Sequence, residues 1–214
     1  MRKGFFITFE GGEGAGKSIQ VQILASRLRE DNFKVIVTRE PGGTRIGEQI
    51  RTITHSQENV DLDAKTEAYL MAAARAQHVS EVIAPALDAG RIVISDRFVD
   101  SSIAYQGYGR KLGAKFIAKL NEVAVNGAVP DITFLLDVPL EMGMKRRHAS
   151  EKTNDRLDMQ QQDFYDRVYK GYETLAKTNG GRYFIIDAKK SIEKVATEVW
   201  KIVGKKIKKH FTNE

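Results

Sequence analysis

The sequence contains no cysteine among its 214 residues, which excludes disulfide bonds and thiolate metal sites in this chain. Proline is scarce, with only 4 residues, and neither a flexible linker nor an internal repeat divides the chain. The apolar stretch near the N-terminus is too short, and too soon followed by glycines, for a signal peptide or a membrane span. We therefore expect one domain over residues 1–214, no membrane partner and a cytoplasmic location.

Acidic residues are fewer than basic ones: 28 Asp and Glu stand against 34 Lys and Arg, a formal net charge of +6. Such a balance is compatible with nucleic-acid binding. Part of the excess, however, lies in five lysines between positions 201 and 209, on an amphipathic helix where a solvated basic face is the commoner arrangement. The chain also lacks the interleaved aromatic and basic residues of single-strand binders. A small anionic substrate explains the charge equally well, and we expect no nucleic-acid partner.

An apolar segment, Phe5–Glu10, changes abruptly into a glycine-rich stretch that is followed by a helical pattern. Residues 11–18 match the phosphate-binding pattern G-x-x-x-x-G-K-[ST]. Glycines let backbone N–H groups turn inward around anionic oxygens, and the helix that begins near Gly16 adds the positive end of its dipole. Lys17 supplies a full charge, and Ser18 supplies a hydroxyl ligand for magnesium. The predicted ATP-binding residues are Gly11, Gly12, Glu13, Gly14, Ala15, Gly16, Lys17 and Ser18.

Five short apolar runs alternate with helical patterns along the chain. This alternation predicts an α/β fold in which a five-stranded parallel sheet lies between two layers of helices, the three-layer architecture of P-loop NTPases. In such sheets ligands bind at the carboxyl ends of the strands, so we expect the site there. The predicted strands cover residues 5–10, 33–38, 91–95, 132–138 and 183–187, and the longest helical pattern covers residues 63–89.

The dipeptide Asp96-Arg97 follows the third predicted strand. A carboxylate at this position of a P-loop protein can hold magnesium beside a hydroxyl, so Ser18 and Asp96 are the predicted metal-site residues. The planar guanidinium of Arg97 suits a second phosphate group. Arg39 lies at another strand end, where a Pro-Gly-Gly loop fixes it. Arg75 lies in an apolar helix, where its charge needs a partner that a ligand or a carboxylate would supply.

A cationic segment, residues 145–148, precedes a polar stretch that ends in an Asp-Arg pair. This pattern predicts a mobile lid at about residues 146–157; a solvated helix end is the alternative interpretation. In phosphoryl transfer, arginines that close over the transferred group stabilise its charge and exclude water. The four histidines show neither metal-ligand spacing nor a paired nucleophile. The candidate catalytic residues are Lys17, Arg97, Arg146, Arg147 and Arg156.

Four motifs together resemble the thymidylate kinase family, and the resemblance covers essentially the whole chain. It implies transfer of the γ-phosphoryl group of ATP to dTMP, giving dTDP and ADP for dTTP biosynthesis, with Mg²⁺ as cofactor and a homodimer as the assembly. Glu-Gly-Ala between the P-loop glycines is similar to the bacterial subtype, in which the catalytic arginine comes from the lid. The motifs are the P-loop with Phe9-Glu10, the loop Thr38-Arg39-Glu40-Pro41-Gly42-Gly43-Thr44, the segment from Asp96-Arg97 to Tyr105-Gln106-Gly107, and Asp155-Arg156-Leu157-Asp158.

The resemblance also implies roles on the acceptor side. It places Glu13 near the sugar 3′-hydroxyl and Tyr105 where a ribonucleotide would carry its 2′-hydroxyl. Arg97 would bind the phosphate, and Arg75, Ser102 and Gln106 would contact the thymine. Many relatives have an aromatic residue four positions before this helix arginine, whereas the present chain has Met71, whose sulfur can pack on a ring with less fixed geometry. The implied dTMP-binding residues are Glu13, Arg39, Arg51, Met71, Arg75, Arg97, Ser102, Tyr105 and Gln106.

Other functions stay open on the residues alone. A kinase of a different nucleoside monophosphate, or a deoxynucleoside kinase, would also use a P-loop, although the arginines around Arg97 favour a phosphorylated acceptor. A P-loop switch or a nucleic-acid-binding regulator is a different class, and the chain has no Asn-Lys-x-Asp guanine-binding motif. For the kinase, we expect in-line attack on the γ-phosphorus without a covalent intermediate, driven by positioning and electrostatics.

Overall fold

The structure, a computed structural model, describes residues 4–149 and 155–212. A parallel sheet crosses its centre, and the P-loop strand is the middle strand. The strands are β1 (Phe5–Glu10), β2 (Val35–Arg39), β3 (Ile92–Asp96), β4 (Ile132–Asp137) and β5 (Tyr183–Asp187). Their order across the sheet is β2-β3-β1-β4-β5. This is the parallel five-stranded sheet that the alternating pattern predicts.

The strands end at a common edge. Phe9 of β1 lies opposite Asp96 of β3, and Arg39 of β2 also lies opposite Asp96. On the other side of the sheet Asp137 of β4 lies opposite Asp187 of β5. Because all the strands are parallel, these side chains lie at the carboxyl edge, where ligands bind in such folds.

Helices cover both faces of this sheet. A π-helical turn, Val79–Ile83, joins the third helix to the fourth, and a second one, Ile103–Gly109, continues the fifth. In the described ranges, 4–149 and 155–212, no helix is long and apolar enough to cross a membrane. The α-helices are α1 (Lys17–Glu30), α2 (Arg45–His55), α3 (Ala64–His78), α4 (Ala84–Asp88), α5 (Val99–Ser102), α6 (Ala114–Val125), α7 (Leu140–His148), α8 (Gln162–Thr178) and α9 (Ile192–Thr212).

Alternate residues of β1 face opposite layers. Phe5, Ile7 and Phe9 pack into the core that α1 and α9 form on one face. Phe6 packs into a second core on the other face. Because side chains alternate along a strand, Glu10 points to the same face as Phe6. Glu10 is completely buried, so its carboxylate requires partners inside the protein.

The structure differs from the sequence predictions mainly at element boundaries. The second strand begins at Val35 rather than at residue 33, because the backbone N–H of Phe33 donates to Leu28 O (3.0 Å) and closes the end of α1. The helical pattern 63–89 is helical, but a π-helical turn interrupts it. The predicted lid at 146–157 begins in α7, and its residues 150–154 lie outside the described residues.

Candidate active site

The P-loop turns between β1 and α1 with backbone angles that favour glycine. Gly14 and Gly16 have φ values of +65° and +86°, in the left-handed region. Gly16 is also the N-cap of α1, so the first N–H groups of this helix point toward the loop. The predicted phosphate-binding loop therefore has the strand-loop-helix context that its motif requires.

Lys17 folds back over this loop. Its Nζ donates to the backbone oxygens of Gly11 (3.1 Å) and Gly12 (2.8 Å), and the residue is only 7% exposed. Burial, with the nearby Arg97 guanidinium, lowers the pKa of Lys17 to about 8. The ammonium is thus still charged at neutral pH, and an anion bound in the loop would stabilise it.

Ser18 and Asp96 form a pair of oxygen ligands beside the loop. The Ser18 hydroxyl donates to Asp96 Oδ2 at 2.5 Å. A hydroxyl and a carboxylate are the hard oxygen donors that Mg²⁺ prefers. Across the described part of the chain, no group of three or more His, Cys, Asp or Glu residues could hold a metal ion. The pair fits Mg²⁺ nonetheless, because this ion usually takes few protein ligands and completes its shell with phosphates and water.

Arg97 occupies the centre of the site. Its φ of +71° is unusual for a residue with a side chain, and the turn is held by hydrogen bonds from Arg97 N to Phe9 O (2.9 Å) and from Ser95 Oγ to Arg97 O (2.7 Å). Its Nη2 donates to Glu13 Oε1 (2.6 Å) and to the Tyr105 hydroxyl (3.2 Å). The predicted phosphate-binding arginine therefore lies against the P-loop.

Glu13 accepts a second hydrogen bond, from the Tyr105 hydroxyl at 2.9 Å. Burial disfavours its ionised form, but the cations of Arg97 and Lys17 outweigh burial and hold the pKa of Glu13 at about 2. Glu13 is thus an anion at every physiological pH. The structure brings together Glu13, Arg97 and Tyr105, which the sequence assigned to one substrate from two separate motifs.

Beneath Arg97 lies a buried hydrogen-bond network around Glu10. Its Oε2 accepts from the hydroxyls of Ser101 (2.5 Å) and Tyr172 (3.1 Å), and its Oε1 accepts from Phe98 N (2.8 Å). Both hydroxyls also accept from Arg97 Nη1, at 3.2 and 3.1 Å. Burial raises the pKa of Glu10 to about 7, with a further contribution from the carboxylate of Asp100. The network supports the guanidinium from the side opposite Glu13.

Arg75 is buried and has the carboxylate partner that its apolar helix requires. Its Nε donates to Glu40 Oε2 at 2.7 Å, and its Nη1 donates to Ser102 Oγ at 3.0 Å. Glu40 belongs to the loop after β2, whereas Ser102 ends α5. Met71, one turn earlier on α3, is also buried. Three of the predicted base-contacting residues thus lie in one region, between α3 and α5.

Gln106, the fourth of these residues, lies in a different cluster. Its Nε2 donates to Glu67 Oε1 (2.7 Å), and Glu67 is fully buried. Arg110 and Arg156 pair with the same carboxylate. Arg156 is only 3% exposed, and its Nε also donates to Thr54 O (3.1 Å). The structure therefore places this candidate lid arginine in a buried ion pair with a carboxylate of α3.

The other two lid arginines lie on α7. Arg147 forms an ion pair with Asp158 (2.7 Å) and a longer one with Asp155 (3.6 Å), which ties α7 to the far end of the predicted lid. Arg146 Nη1 donates to Ala188 O (2.9 Å), in the loop after β5. The contacts described for the three arginines thus go to different residues: Arg146 to Ala188, Arg147 to Asp158 and Asp155, and Arg156 to Glu67.

Arg39 and Arg51 flank the loop after β2. Arg39 pairs with Glu48 (2.8 Å), and about half of its side chain is exposed. Arg51 Nη1 donates to Pro41 O (3.2 Å). Glu48 also accepts from Gly43 N (3.0 Å), so this loop is fixed to α2. That Arg39 and Arg51 bind the acceptor stays a prediction.

Helix α7, whose last three residues overlap the predicted lid, contacts the P-loop without any side chain between them. A Cβ on Gly14 would overlap the backbone carbonyl of Gly143, and a Cβ on Gly143 would overlap the backbone oxygen of Glu13. Two glycines, one on each element, therefore permit the close approach. Helix α7 and the phosphate-binding loop therefore form one packed unit.

Sequence reasoning missed several polar residues of the site. Their partners lie far away in the chain, and an isolated histidine or asparagine gives no local signal of burial. For Glu10, which was also missed, the sequence did contain a signal, because a carboxylate in the middle strand of an apolar sheet already implies a buried partner. The missed residues are Glu10, Glu40, Glu67, His78, Ser101, Asn121 and Tyr172.

Comparison with known proteins decides the family. The family model described as thymidylate kinase matches residues 9–199. The chain belongs to the thymidylate kinase family. Its sequence is 46% identical to the thymidylate kinase of Geobacillus thermodenitrificans over 212 residues, covering 97% of this chain and 94% of that protein. It is also 46% identical to the enzyme of Halothermothrix orenii, over 96% of this chain and all of that protein.

A solved structure agrees with this assignment. The crystal structure of thymidylate kinase from Ehrlichia chaffeensis matches with a TM-score of 0.77 and 37% identity, covering 94% of this chain and 98% of that one. The match confirms the predicted P-loop α/β fold and the predicted family. Membership also makes the chain a nucleotide-binding kinase, as its motifs predicted.

Proposed function

We propose that the chain phosphorylates dTMP by in-line attack, with ATP on the P-loop and dTMP against Arg97 and Arg75. Conversion of dTMP and ATP to dTDP and ADP is the activity of the family to which the chain belongs. A dTMP phosphate oxygen forms the new bond to the γ-phosphorus, and the bond to the β-phosphate oxygen breaks with its electron pair leaving on ADP. Both reacting groups are anionic, so positioning and charge stabilisation carry the catalysis.

The main support for this proposal is that Glu13, Arg97 and Tyr105 contact one another beside the P-loop. Arg97 would bind the acceptor phosphate, Glu13 the sugar 3′-hydroxyl, and Tyr105 would occupy the space of a 2′-hydroxyl. The pKa of Glu13, about 2, supports this role, because the carboxylate stays ionised and accepts hydrogen bonds only. Arg75 and Ser102 are in direct contact, and this contact supports a shared role at the thymine.

Mg²⁺ is the cofactor that the pair of Ser18 and Asp96 fits. When bound, it neutralises phosphate charge and orients the phosphate oxygens. Lys17 contributes a second, fixed positive charge on the loop. Of the lid arginines, Arg147 and Arg146 lie on α7, which packs on the P-loop, and this supports a role over the phosphates or the adenine more directly than the buried position of Arg156 does.

We also infer a homodimer and a cytoplasmic location. Support for the dimer comes from exposed apolar side chains on α3 and α6, two helices that pack against each other. Tyr69 on α3 is 56% exposed, and Phe116 and Val123 on α6 are 41% and 86% exposed. Sedimentation equilibrium would test the assembly, since a monomer at all concentrations contradicts it.

The function is tested by ADP release in a coupled assay with dTMP, dUMP, dCMP, dGMP and thymidine as acceptors. We expect dTMP to be the best acceptor and thymidine to be inert, because Arg97 would then have no phosphate to bind. If thymidine were phosphorylated as well as dTMP, the proposed role of Arg97 would be wrong. Preference for another monophosphate would instead contradict the thymine site.

A further inference from the structure

The guanidinium of Arg75 is held by four partners from three segments of the chain. Nε donates to Glu40 Oε2 (2.7 Å), Nη1 to Ser102 Oγ (3.0 Å) and Asn121 Oδ1, and Nη2 to Phe98 O (3.2 Å). A guanidinium has five N–H groups. These contacts use four of them, and one N–H on Nη2 has no hydrogen-bond partner among residues 4–149 and 155–212.

Glu40 is itself fixed from its other side. Its Oε1 lies 2.9 Å from His78 Nδ1, and His78 Nε2 lies 2.6 Å from Thr38 Oγ1. Glu40 is 5% exposed, Arg75 is 3% exposed and His78 is fully buried, so water hardly competes for these groups. Thr38, His78, Glu40 and Arg75 therefore form a continuous hydrogen-bonded chain from the edge of the sheet to the guanidinium.

We propose that Glu40 and His78 are positioning residues that orient Arg75 and thereby set the base specificity of the acceptor site. The inference rests on the proposed placement of Arg75 at the thymine. Thymine has a carbonyl oxygen at C4, whereas cytosine has an amino group there. An N–H held in one direction donates to the carbonyl oxygen of thymine but meets the amino group of cytosine donor to donor, so its fixed orientation discriminates between the two bases. A guanidinium that can turn loses much of this discrimination.

Two substitutions of His78 form a matched pair. His78→Leu removes the donor to Glu40, whereas His78→Asn supplies an amide N–H in place of Nδ1–H. The readouts are the KM for dTMP and the inhibition constant of 5-methyl-dCMP, which keeps the methyl group but carries an amino group at C4. In His78→Leu we expect KM for dTMP to rise about tenfold, with the inhibition constant and the KM for ATP within about twofold of wild type. His78→Asn should restore the KM for dTMP to within about twofold.

A merely structural role of His78 gives a different result. In folded protein it would raise KM and the inhibition constant together, and that outcome overturns the inference. Glu40→Gln, which has the same shape as the wild-type residue, carries the same test if His78→Leu does not fold. Thermal unfolding identifies that case.

Arg75→Lys separates this inference from the proposed base site. The deciding quantity is the inhibition constant of 5-methyl-dCMP divided by the KM for dTMP. If Arg75→Lys leaves this ratio unchanged, Arg75 does not contact the base, and its proposed placement at the thymine is wrong. If Arg75→Lys narrows the ratio while His78→Leu and Glu40→Gln do not, only the positioning role is wrong.

Discussion

The donor and acceptor sides of the site are built from different parts of the chain. On the donor side, Lys17 bonds to backbone oxygens five and six residues away, and the loop depends on glycine backbone geometry. On the acceptor side, Arg97 and Arg75 bond to carboxylates 84 and 35 residues away. A site made by backbone is encoded in one short motif, whereas a site made by paired side chains depends on the whole fold.

The largest expected effect lies on the donor side. Lys17→Ala removes the only full positive charge within the P-loop, so we expect kcat to fall about 10³-fold, the scale of losing a preorganised electrostatic contact. Lys201→Ala, an exposed lysine on α9, is the control and should keep wild-type activity. Steady-state ADP release measures both. Substantial turnover in Lys17→Ala would remove the P-loop from the mechanism.

The next effect tests the buried carboxylate beneath Arg97. The folded-state pKa of Glu10, about 7, lies above its ordinary value of 4.5, so the folded protein binds a proton that the unfolded chain releases. Glu10 therefore contributes its full stabilisation below pH 4.5. This contribution is lost as pH rises through 7, which lowers the free energy of unfolding by about 3 kcal/mol. Glutamine does not titrate, so this pH-dependent decrease should be absent in Glu10→Gln.

Urea denaturation from pH 4.5 to 8 measures this effect as the difference between the wild-type and Glu10→Gln curves. The difference is necessary because burial and Arg51 lower the pKa of His55 to about 4, which makes stability rise over part of the same range in both proteins. Glu58→Gln on the surface is the control. Parallel curves for wild type and Glu10→Gln would show that Glu10 does not titrate there.

The smallest effect compares a buried ion pair of the acceptor side with an exposed one. Arg156→Met leaves the carboxylate of Glu67 with Arg110 and Gln106 only, and we expect the free energy of unfolding to fall by about 2 kcal/mol. Arg39→Met breaks an exposed ion pair and should change the free energy of unfolding by less than about 1 kcal/mol. Equal losses in urea denaturation would mean that burial does not decide the strength of these pairs.

The fold and the strand-loop-helix geometry of the P-loop could be predicted well from the sequence. The first and fifth strands have the predicted bounds, Phe5–Glu10 and Tyr183–Asp187, because short apolar runs between polar breaks are a local signal. The π-helical turn Ile103–Gly109, which carries Tyr105 and Gln106, was not predicted, because the residue pattern of such a turn is that of an ordinary helix. Its geometry depends on packing against α6 and α8.

For the acceptor side, the sequence predicted a set of residues but not which of them contact one another. The sequence assigned Arg75 and Gln106 to the same base, yet Arg75 pairs with Glu40 while Gln106 bonds to Glu67. Which carboxylate meets which cation depends on how α3, α5 and α6 pack, and spacing along the chain does not contain that information. Arg156 illustrates the same limit, since an arginine beside a lid pattern is buried in an ion pair.

The contact between Gly14 and Gly143 limits the order in which this chain can change. A basic residue at position 14 would add a cation beside the phosphates, but its Cβ alone would collide with the backbone of α7. No substitution at position 143 relieves that collision, because the obstacle at Gly143 is main chain rather than side chain. A path of substitutions toward an arginine at position 14 must therefore first move α7 away from the P-loop. Each intermediate on that path loses the packing between α7 and the P-loop before it gains the positive charge.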